Sequence, residues 1–209
     1  MTEIKKSKRL KVLWLTNIAT PYRIPIWKWL GSEVDLTMAL LAYTEPNRQW
    51  EFTTDEIGLN VKFLNVQAIT RGERTLYLPS KSLRKLLRGN FDVIILGGWE
   101  SPAYFWALLK TKFGSAAAVS HYGSTKLSHS RNQGIVAKVR GWFYRNVGAH
   151  ATYGTAASDA LREMGISEER IFTGFNSVDH LRFHSRVTEI RANQNSSVQQ
   201  EPLGNKYLY

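Results

Sequence analysis

The sequence predicts an α/β fold, in which a Rossmann-like parallel sheet carries helices on both faces. Short apolar runs alternate with segments of helical periodicity along most of the chain. The first apolar run, 10–16, follows a charged segment and is typical of a parallel strand buried on both faces. Segment 149–175 has the pattern strand, helix, strand, and a right-handed crossover of this kind joins parallel strands.

The remaining elements are assigned from local signals. After the first strand, Pro21 and Pro25 bracket the start of a helix that contains Trp27. Pro79 is predicted to start another helix because its missing N–H would be unpaired there. Gly165 is predicted to end the last helix, since glycine adopts the left-handed conformation at little steric cost. The later strands are predicted at 34–42, 61–66, 91–96, 116–120, 149–153 and 171–175. The later helices are predicted at 79–88, 102–113, 133–147 and 155–164.

Length and composition restrict the class of protein. The 209 residues can form one full α/β domain and a tail, too little for two such domains. The absence of cysteine excludes disulfides, thiolate metal sites and cysteine nucleophiles. Residues 1–9 lack the apolar core of a signal peptide, and no run approaches the ~18 apolar residues of a membrane span. We therefore expect a cytoplasmic protein.

The net charge of +11 is concentrated partly in a basic N-terminal segment and partly in the predicted helix 79–88. Basic surfaces attract the phosphates of nucleic acid, of anionic lipid or of a pyrophosphate-linked acceptor. A solvated surface helix is the simplest explanation for 79–88, and contact with an anionic membrane surface is the alternative. Nucleic-acid binding is not expected, because no nucleic-acid-binding module accompanies the charge.

Candidate site residues follow the predicted strands at ends that meet along one edge of the sheet, where ligands of open parallel sheets usually bind. The candidate binding residues are Asn17, Tyr22, Arg23, Gly97, Gly98, Glu100, Ser124, Asn176 and Asp179. His121 is the candidate catalytic residue, because the apolar strand before it ends there. A guanidinium supplies charge-assisted hydrogen bonds, glycines admit a ligand to the backbone, and a carboxylate accepts hydrogen bonds from hydroxyl groups.

Each candidate also has a purely structural explanation. The loop 17–25 can be a rigid start to the following helix, and 97–100 can be a tight turn that puts an acid near a helix N-terminus. Asn176 and Asp179 favour turns in any protein. A lone histidine such as His121 is more often structural than catalytic.

Several of these segments resemble family 4 glycosyltransferases of the GT-B fold. The loop 17–25, with its Asn, Pro-Tyr-Arg and Pro, matches the loop after the first strand in some members, although the Gly-Gly pair common in the wider family is missing. The small-residue helix start at 154–158, the Gly-Ile turn at 165–166 and the Asn-Ser-Val-Asp turn at 176–179 match the end of the family's N-terminal domain. The resemblance covers residues 10–183.

The resemblance implies a retaining enzyme that moves a sugar from a nucleotide-sugar donor to an acceptor. A histidine at the position of His121 lies near the donor phosphates or the reacting sugar in the family. The donor is held mostly by a second domain, whose paired-glutamate motif this sequence does not contain. We therefore expect an acceptor-side half, inactive alone, that needs its C-terminal domain or a partner chain. The expected acceptor is a sugar or a lipid-linked acceptor, and neither a metal nor a cofactor besides the donor substrate is expected.

The expected domain organisation follows from the same resemblance and from the polar composition of the segment after residue 183. We predict a basic tail at 1–9, an acceptor-side domain at 10–183, a polar linker at 184–202 and the start of a truncated second domain at 203–209. Membrane association is the expectation for an enzyme that uses a lipid-linked acceptor. The alternative function is a non-catalytic binding module or partner subunit that docks an acceptor, a membrane or a second chain.

Overall fold

The computed structural model describes most of the chain, and it divides the chain into two compact units. The described residues are 8–45, 58–72, 74–125, 134–174 and 180–196. The first unit comprises residues 1–176 and the second comprises residues 177–209.

The first unit is built on a parallel sheet of seven strands among the described residues. The strands of this sheet are β1 (Lys11–Thr16), β2 (Asp35–Leu40), β3 (Asn60–Phe63), β6 (Val93–Leu96), β7 (Ala117–Tyr122), β8 (Ala149–Thr152) and β9 (Ile171–Thr173). Their order across the sheet is β3-β2-β1-β6-β7-β8-β9, and every neighbouring pair is parallel. The predicted fold class is therefore confirmed, and the strand bounds differ from the predicted ones by up to three residues.

The helices cover both faces of this sheet. They are α1 (Ile24–Glu33), α2 (Lys81–Leu86), α3 (Pro102–Lys112), α4 (Gly134–Asn146) and α5 (Thr155–Glu163). One apolar layer joins the sheet to α1, with Trp27 completely buried in it. The other layer joins the sheet to α3, α4 and α5, with Tyr104, Phe143 and Leu161 at its centre. Strand β1 contributes to both layers through alternate residues, which explains its continuous apolar sequence.

Two helix ends test the local predictions. Gly165 follows α5 with φ +79, and its N–H donates to the Arg162 carbonyl at 2.9 Å, which confirms its predicted role. The predicted helix start at Pro79 is wrong. Ser80 caps this helix, because its side chain accepts a hydrogen bond from the Leu83 N–H at 3.1 Å, and α2 begins one residue later.

An antiparallel hairpin was not predicted. It is formed by β4 (Ala68–Arg71) and β5 (Arg74–Tyr77), and Thr70 pairs with Thr75. All four residues of β4 are exposed, so the strand lacks the alternation of apolar and polar residues that identifies a half-buried strand.

The second unit contains one described element, α6 (His180–Ser196). This helix extends over residues 184–196 of the segment predicted to be a polar linker. None of the described helices combines the length and the apolar character that a membrane crossing requires.

Candidate functional site

The carboxyl ends of four neighbouring strands create the candidate site. Strands β1, β6, β7 and β8 are adjacent in the sheet and all run in the same direction, so the loops that follow them emerge along one edge. In open α/β sheets, ligands bind outside this edge. The loops after β1, β6 and β7 contain most of the predicted site residues.

His121 lies inside β7 rather than after it. The predicted end of this strand, residue 120, is wrong by two residues, because β7 ends at Tyr122. The ladder with β8 continues through His121, which is opposite Ala151, and through the next residue as well. The imidazole is partly buried and meets the Trp14 ring of β1 edge to face, with 4.8 Å between ring centroids. His121 therefore remains at the candidate edge, with its ring packed against aromatic side chains.

A chain of hydrogen bonds joins three residues from separate loops and strands. The Nη2 group of Arg23 donates to the hydroxyl of Tyr153 at 2.7 Å, and that hydroxyl lies 2.9 Å from Nδ1 of His121. The Arg23 guanidinium also lies 5.6 Å from the centroid of the Tyr22 ring, within the range of a cation–π contact. We call the three hydrogen-bonded residues, Arg23, Tyr153 and His121, the Arg23–Tyr153–His121 cluster.

At neutral pH the cluster carries one charge, on the Arg23 guanidinium. Burial, together with the smaller effect of the nearby Arg23 charge, lowers the pKa of His121 to about 3. Burial raises the pKa of the Tyr153 hydroxyl, and Arg23 opposes this rise only in part. The imidazole is therefore neutral and the phenol is protonated, while the Arg23 guanidinium stays positively charged.

The proton positions follow from the number of donors. The Tyr153 hydroxyl has one proton, and because it accepts from Arg23 it can donate that proton to Nδ1 of His121. In this assignment the ring proton of His121 is on Nε2. The cluster can then bind an anionic group through Arg23 and offer a neutral N–H donor from His121, which is an arrangement suited to a phosphate ester or a hydroxyl group.

Tyr153 is the site residue that sequence reasoning missed. It directly follows β8, and its N–H donates to the Tyr122 carbonyl at 3.1 Å, so it sits at the same edge as His121. The ring packs directly over Gly123, where an added Cβ would come within 2.4 Å of two Tyr153 ring carbons. The sequence does contain a signal, because Tyr153 ends the predicted strand 149–153, which follows the strand before His121. The pattern of that segment predicts only a buried strand and gives its final tyrosine no role in a site.

Asn17 belongs to a second polar network at the same edge. Its Oδ1 accepts from the Tyr104 hydroxyl at 2.5 Å, and its Nδ2 donates to Glu45 at 3.1 Å. Glu45 also accepts from the Tyr77 hydroxyl at 2.8 Å. Burial raises the pKa of Tyr104 well above its ordinary value, so this phenol remains a donor. The side chain of Asn17 is therefore used largely in joining the loop after β1 to α3 and β5.

Packing within the protein accounts for Gly97 and Gly98. An added Cβ on Gly97 would lie 3.0 Å from the Leu15 carbonyl oxygen, and one on Gly98 would lie 2.7 Å from a carboxylate oxygen of Glu100. The same oxygen of Glu100 accepts from the Trp99 N–H at 3.1 Å. These contacts correspond to the tight-turn explanation, with Glu100 exposed at the start of α3.

The other predicted residues are placed as follows. Tyr22 is half-buried next to Arg23, and Ser124 is half-buried two residues beyond the end of β7. Asn176 and Asp179 lie outside the described residues. Within the described part of the chain, no group of His, Asp or Glu side chains is arranged to hold a metal ion.

A large open cavity lies at the opposite edge of the sheet. It measures about 800 Å³ and includes Lys8, Arg9, Lys11 and Asp35 around the amino-terminal ends of β1 and β2. Because open parallel sheets bind their ligands at the carboxyl edge, we assign the candidate site to the Arg23–Tyr153–His121 cluster rather than to this cavity.

Comparison with known proteins agrees with this fold. No family model matches the sequence, and no curated protein matches it either. A solved structure of a UDP-N-acetylglucosamine 2-epimerase matches 81% of this chain and 49% of its own, with 16% identity and a TM-score of 0.56. The structure of Anabaena Alr3699/HepE in complex with UDP and glucose matches 88% of this chain and 50% of its own, with 13% identity and a TM-score of 0.58. The complex of the same protein with UDP-glucose gives 12% identity, a TM-score of 0.59 and coverage of 91% and 51%.

These neighbours are proteins of the GT-B fold, and the chain spans about half the length of each. The chain therefore has the fold of one Rossmann-like half of a GT-B protein. The comparisons show this fold alone and do not single out family 4.

Proposed function

We propose that this chain is the acceptor-side half of a retaining glycosyltransferase, of the family 4 type, that transfers a sugar from a nucleotide-sugar donor to an acceptor. The observation that carries the proposal is the Arg23–Tyr153–His121 cluster at the carboxyl edge of the sheet. The bound UDP-glucose named for one fold neighbour is consistent with nucleotide-sugar chemistry on this scaffold.

Arg23 is the residue that would stabilise negative charge. Its Nη2 group donates to the Tyr153 hydroxyl, and a guanidinium carries five N–H donors in all. When a sugar leaves its nucleotide, charge accumulates on the departing phosphate. A fixed guanidinium held by Tyr153 and Tyr22 can stabilise this charge without reorganising. We propose that Arg23 contacts the phosphates of the donor or of a pyrophosphate-linked acceptor.

His121 would act as a neutral hydrogen-bonding group rather than as an acid. Its pKa of about 3 means that very little imidazolium exists near neutral pH, so it does not supply a proton to the leaving group. Instead its ring would hold a sugar hydroxyl or a phosphate oxygen through the nitrogen that does not face Tyr153. This assigns His121 to substrate positioning at the reacting centre.

The donor half of the site would come from a second domain or a partner chain. The neighbours are about twice as long as the part that this chain matches. On this proposal, the nucleotide base and ribose are bound outside this chain, whereas the phosphates and the acceptor reach Arg23 and His121.

Calorimetric titration of the 209-residue chain tests the proposal. Pyrophosphate is expected to bind with a millimolar dissociation constant, and UDP-glucose and UDP-N-acetylglucosamine are expected to bind no more tightly. Arg23→Gln is expected to abolish pyrophosphate binding, whereas Lys62→Gln, an exposed change on β3, leaves it unchanged. Micromolar binding of a nucleotide sugar would contradict the assignment of a half-site, and equal effects of the two substitutions would contradict the role of Arg23.

A further inference from the structure

The positive charge of the chain is concentrated around three helices of one sheet face. Between Arg74 and Ser158 the sequence contains only two acidic residues, Asp92 and Glu100, and none between residues 101 and 158. The basic residues in the same interval are Arg74, Lys81, Arg84, Lys85, Arg88, Lys110, Lys112, Lys126, Arg131, Lys138, Arg140 and Arg145. Helices α2, α3 and α4, which lie within this interval, contain no acidic residue.

Helix α3 presents apolar side chains outward as well as inward. Its inner face buries Ala103, Tyr104, Ala107 and Leu108 in the core. Its outer face carries Trp106, Leu109 and Phe113, spaced three and four residues apart along one stripe, and all three are exposed. The Phe113 side chain just after the helix is 85% exposed. The core therefore does not require these outer residues to be apolar.

Helix α4 carries a second outward stripe of the same kind. Ile135, Val139 and Trp142 follow each other at helical spacing, and all three are exposed, with Ile135 at 80%. The two stripes are connected through Phe105 of α3, whose ring stacks on the Trp142 ring with 6.2 Å between centroids and 4° between planes. We call these six exposed residues, together with Phe105, the α3–α4 apolar surface.

Basic side chains lie next to the apolar ones. The Arg84 guanidinium of α2 lies 5.0 Å from the centroid of the Trp106 ring. Lys110 follows Leu109 in α3 and is exposed, and Lys112 and Lys138 are also exposed. Tryptophan and phenylalanine with neighbouring lysines and arginines are typical of protein surfaces that lie at the boundary between lipid headgroups and acyl chains.

We propose that the α3–α4 apolar surface docks onto an anionic lipid bilayer, with the exposed aromatic and aliphatic side chains entering the headgroup region and the surrounding cations contacting lipid phosphates. Charge complementarity selects this occupant. A second copy of the chain would bring the same cations against each other, since α2, α3 and α4 have no acidic residue to oppose them. A nucleic acid would leave the apolar stripes of α3 and α4 without a partner.

Sedimentation of the full chain with vesicles tests this inference. We expect binding to vesicles of phosphatidylcholine with 30% phosphatidylglycerol, weaker binding to pure phosphatidylcholine, and weakening of the binding to the anionic vesicles as salt is raised. The inference concerns a surface on the helices and not the Arg23–Tyr153–His121 cluster. Its outcome is therefore independent of the pyrophosphate and nucleotide-sugar titrations.

Substitutions on the surface and matched controls locate the contact. Phe113→Ser and Ile135→Ser are each expected to weaken the vesicle partition coefficient about tenfold, because each removes a large apolar side chain from the lipid. Lys110→Gln is expected to weaken it about fivefold, which corresponds to the usual contribution of one cation near an anionic membrane. The controls are Trp29→Ser and Lys28→Gln on α1, where Trp29 is 65% exposed on the other side of the sheet.

Three outcomes would overturn the inference. The first is the absence of binding to anionic vesicles at low salt. The second is an equal loss of binding in the α1 controls. The third is concentration-dependent self-association that Phe113→Ser abolishes while vesicle binding is unaffected, which would assign the surface to a second copy of the chain.

Discussion

Replacing Gly123 by alanine tests the packing that holds the candidate site together. The new Cβ would lie 2.4 Å from Cδ2 and from Cε2 of Tyr153, whereas carbon atoms in contact are normally ~3.5–4.0 Å apart. The ring must therefore move by about an ångström. Its hydroxyl is tied to Arg23 at 2.7 Å and to His121 at 2.9 Å, so movement of the ring strains or breaks both hydrogen bonds.

The expected cost combines two contributions. Overpacking a filled site costs about 1–3 kcal/mol, and each weakened hydrogen bond adds about 0.5–1.5 kcal/mol. We expect Gly123→Ala to lower the free energy of unfolding by about 3 kcal/mol, which for a domain of this size lowers Tm by about 6–12 °C.

A double-mutant cycle with Tyr153→Ala isolates the contact. Thermal unfolding followed by circular dichroism should show a large effect of Gly123→Ala in the natural chain and little effect when Tyr153 is already alanine. Gly114→Ala is the control, because its Cβ would meet only the Lys110 carbonyl oxygen at 3.2 Å, next to an exposed helix end. The same Tm loss from Gly123→Ala in both backgrounds would show that the alanine Cβ does not act through the Tyr153 ring.

Two further predictions concern titration and backbone conformation. Burial lowers the pKa values of His121 to about 3 and of His150 to about 4, so between these values and ~6.5 the unfolded chain binds protons that the folded chain does not. Stability should therefore fall as pH decreases from 7.5 to 5, by about 2 kcal/mol for each histidine. Urea unfolding of His121→Asn at both pH values should show about half of this loss, and an unchanged pH dependence would be inconsistent with a neutral His121. Gly165→Ala should cost about 1–2 kcal/mol because φ is +79 there while the added Cβ meets nothing within 4 Å, and an unchanged urea midpoint would argue against the left-handed helix end.

The order of strands and helices could be predicted because several buried strands, such as β1 and β6, are almost continuous apolar runs. Strand β1 is the clearest case, since its residues pack on both faces of the sheet. The hairpin formed by β4 and β5 could not be predicted in the same way, because its pairing depends on backbone hydrogen bonds and not on a buried side-chain pattern. The hydroxyl pair Thr70 and Thr75, 3.2 Å apart, is visible only once the register is known.

The candidate site was predicted in its location but only partly in its composition. Arg23 and His121 were identified because they lie near strand ends, and the structure connects them. The connecting residue, Tyr153, could not be predicted because its role depends on a contact with Arg23, which lies 130 residues earlier in the sequence. Gly97 and Gly98 were predicted to admit a ligand, yet contacts with Leu15 and Tyr104 of the protein itself require their small size.

The central claim is that an anionic group binds at the carboxyl edge of the sheet through the Arg23–Tyr153–His121 cluster. Amide chemical shifts of the isotopically labelled chain, followed by NMR during titration with pyrophosphate, test this claim most directly. We expect the largest chemical-shift changes at these three residues and at Tyr22, and we expect these changes to disappear in Arg23→Gln. Changes concentrated instead around the cavity lined by Lys8, Arg9, Lys11 and Asp35, or along α2, would contradict it.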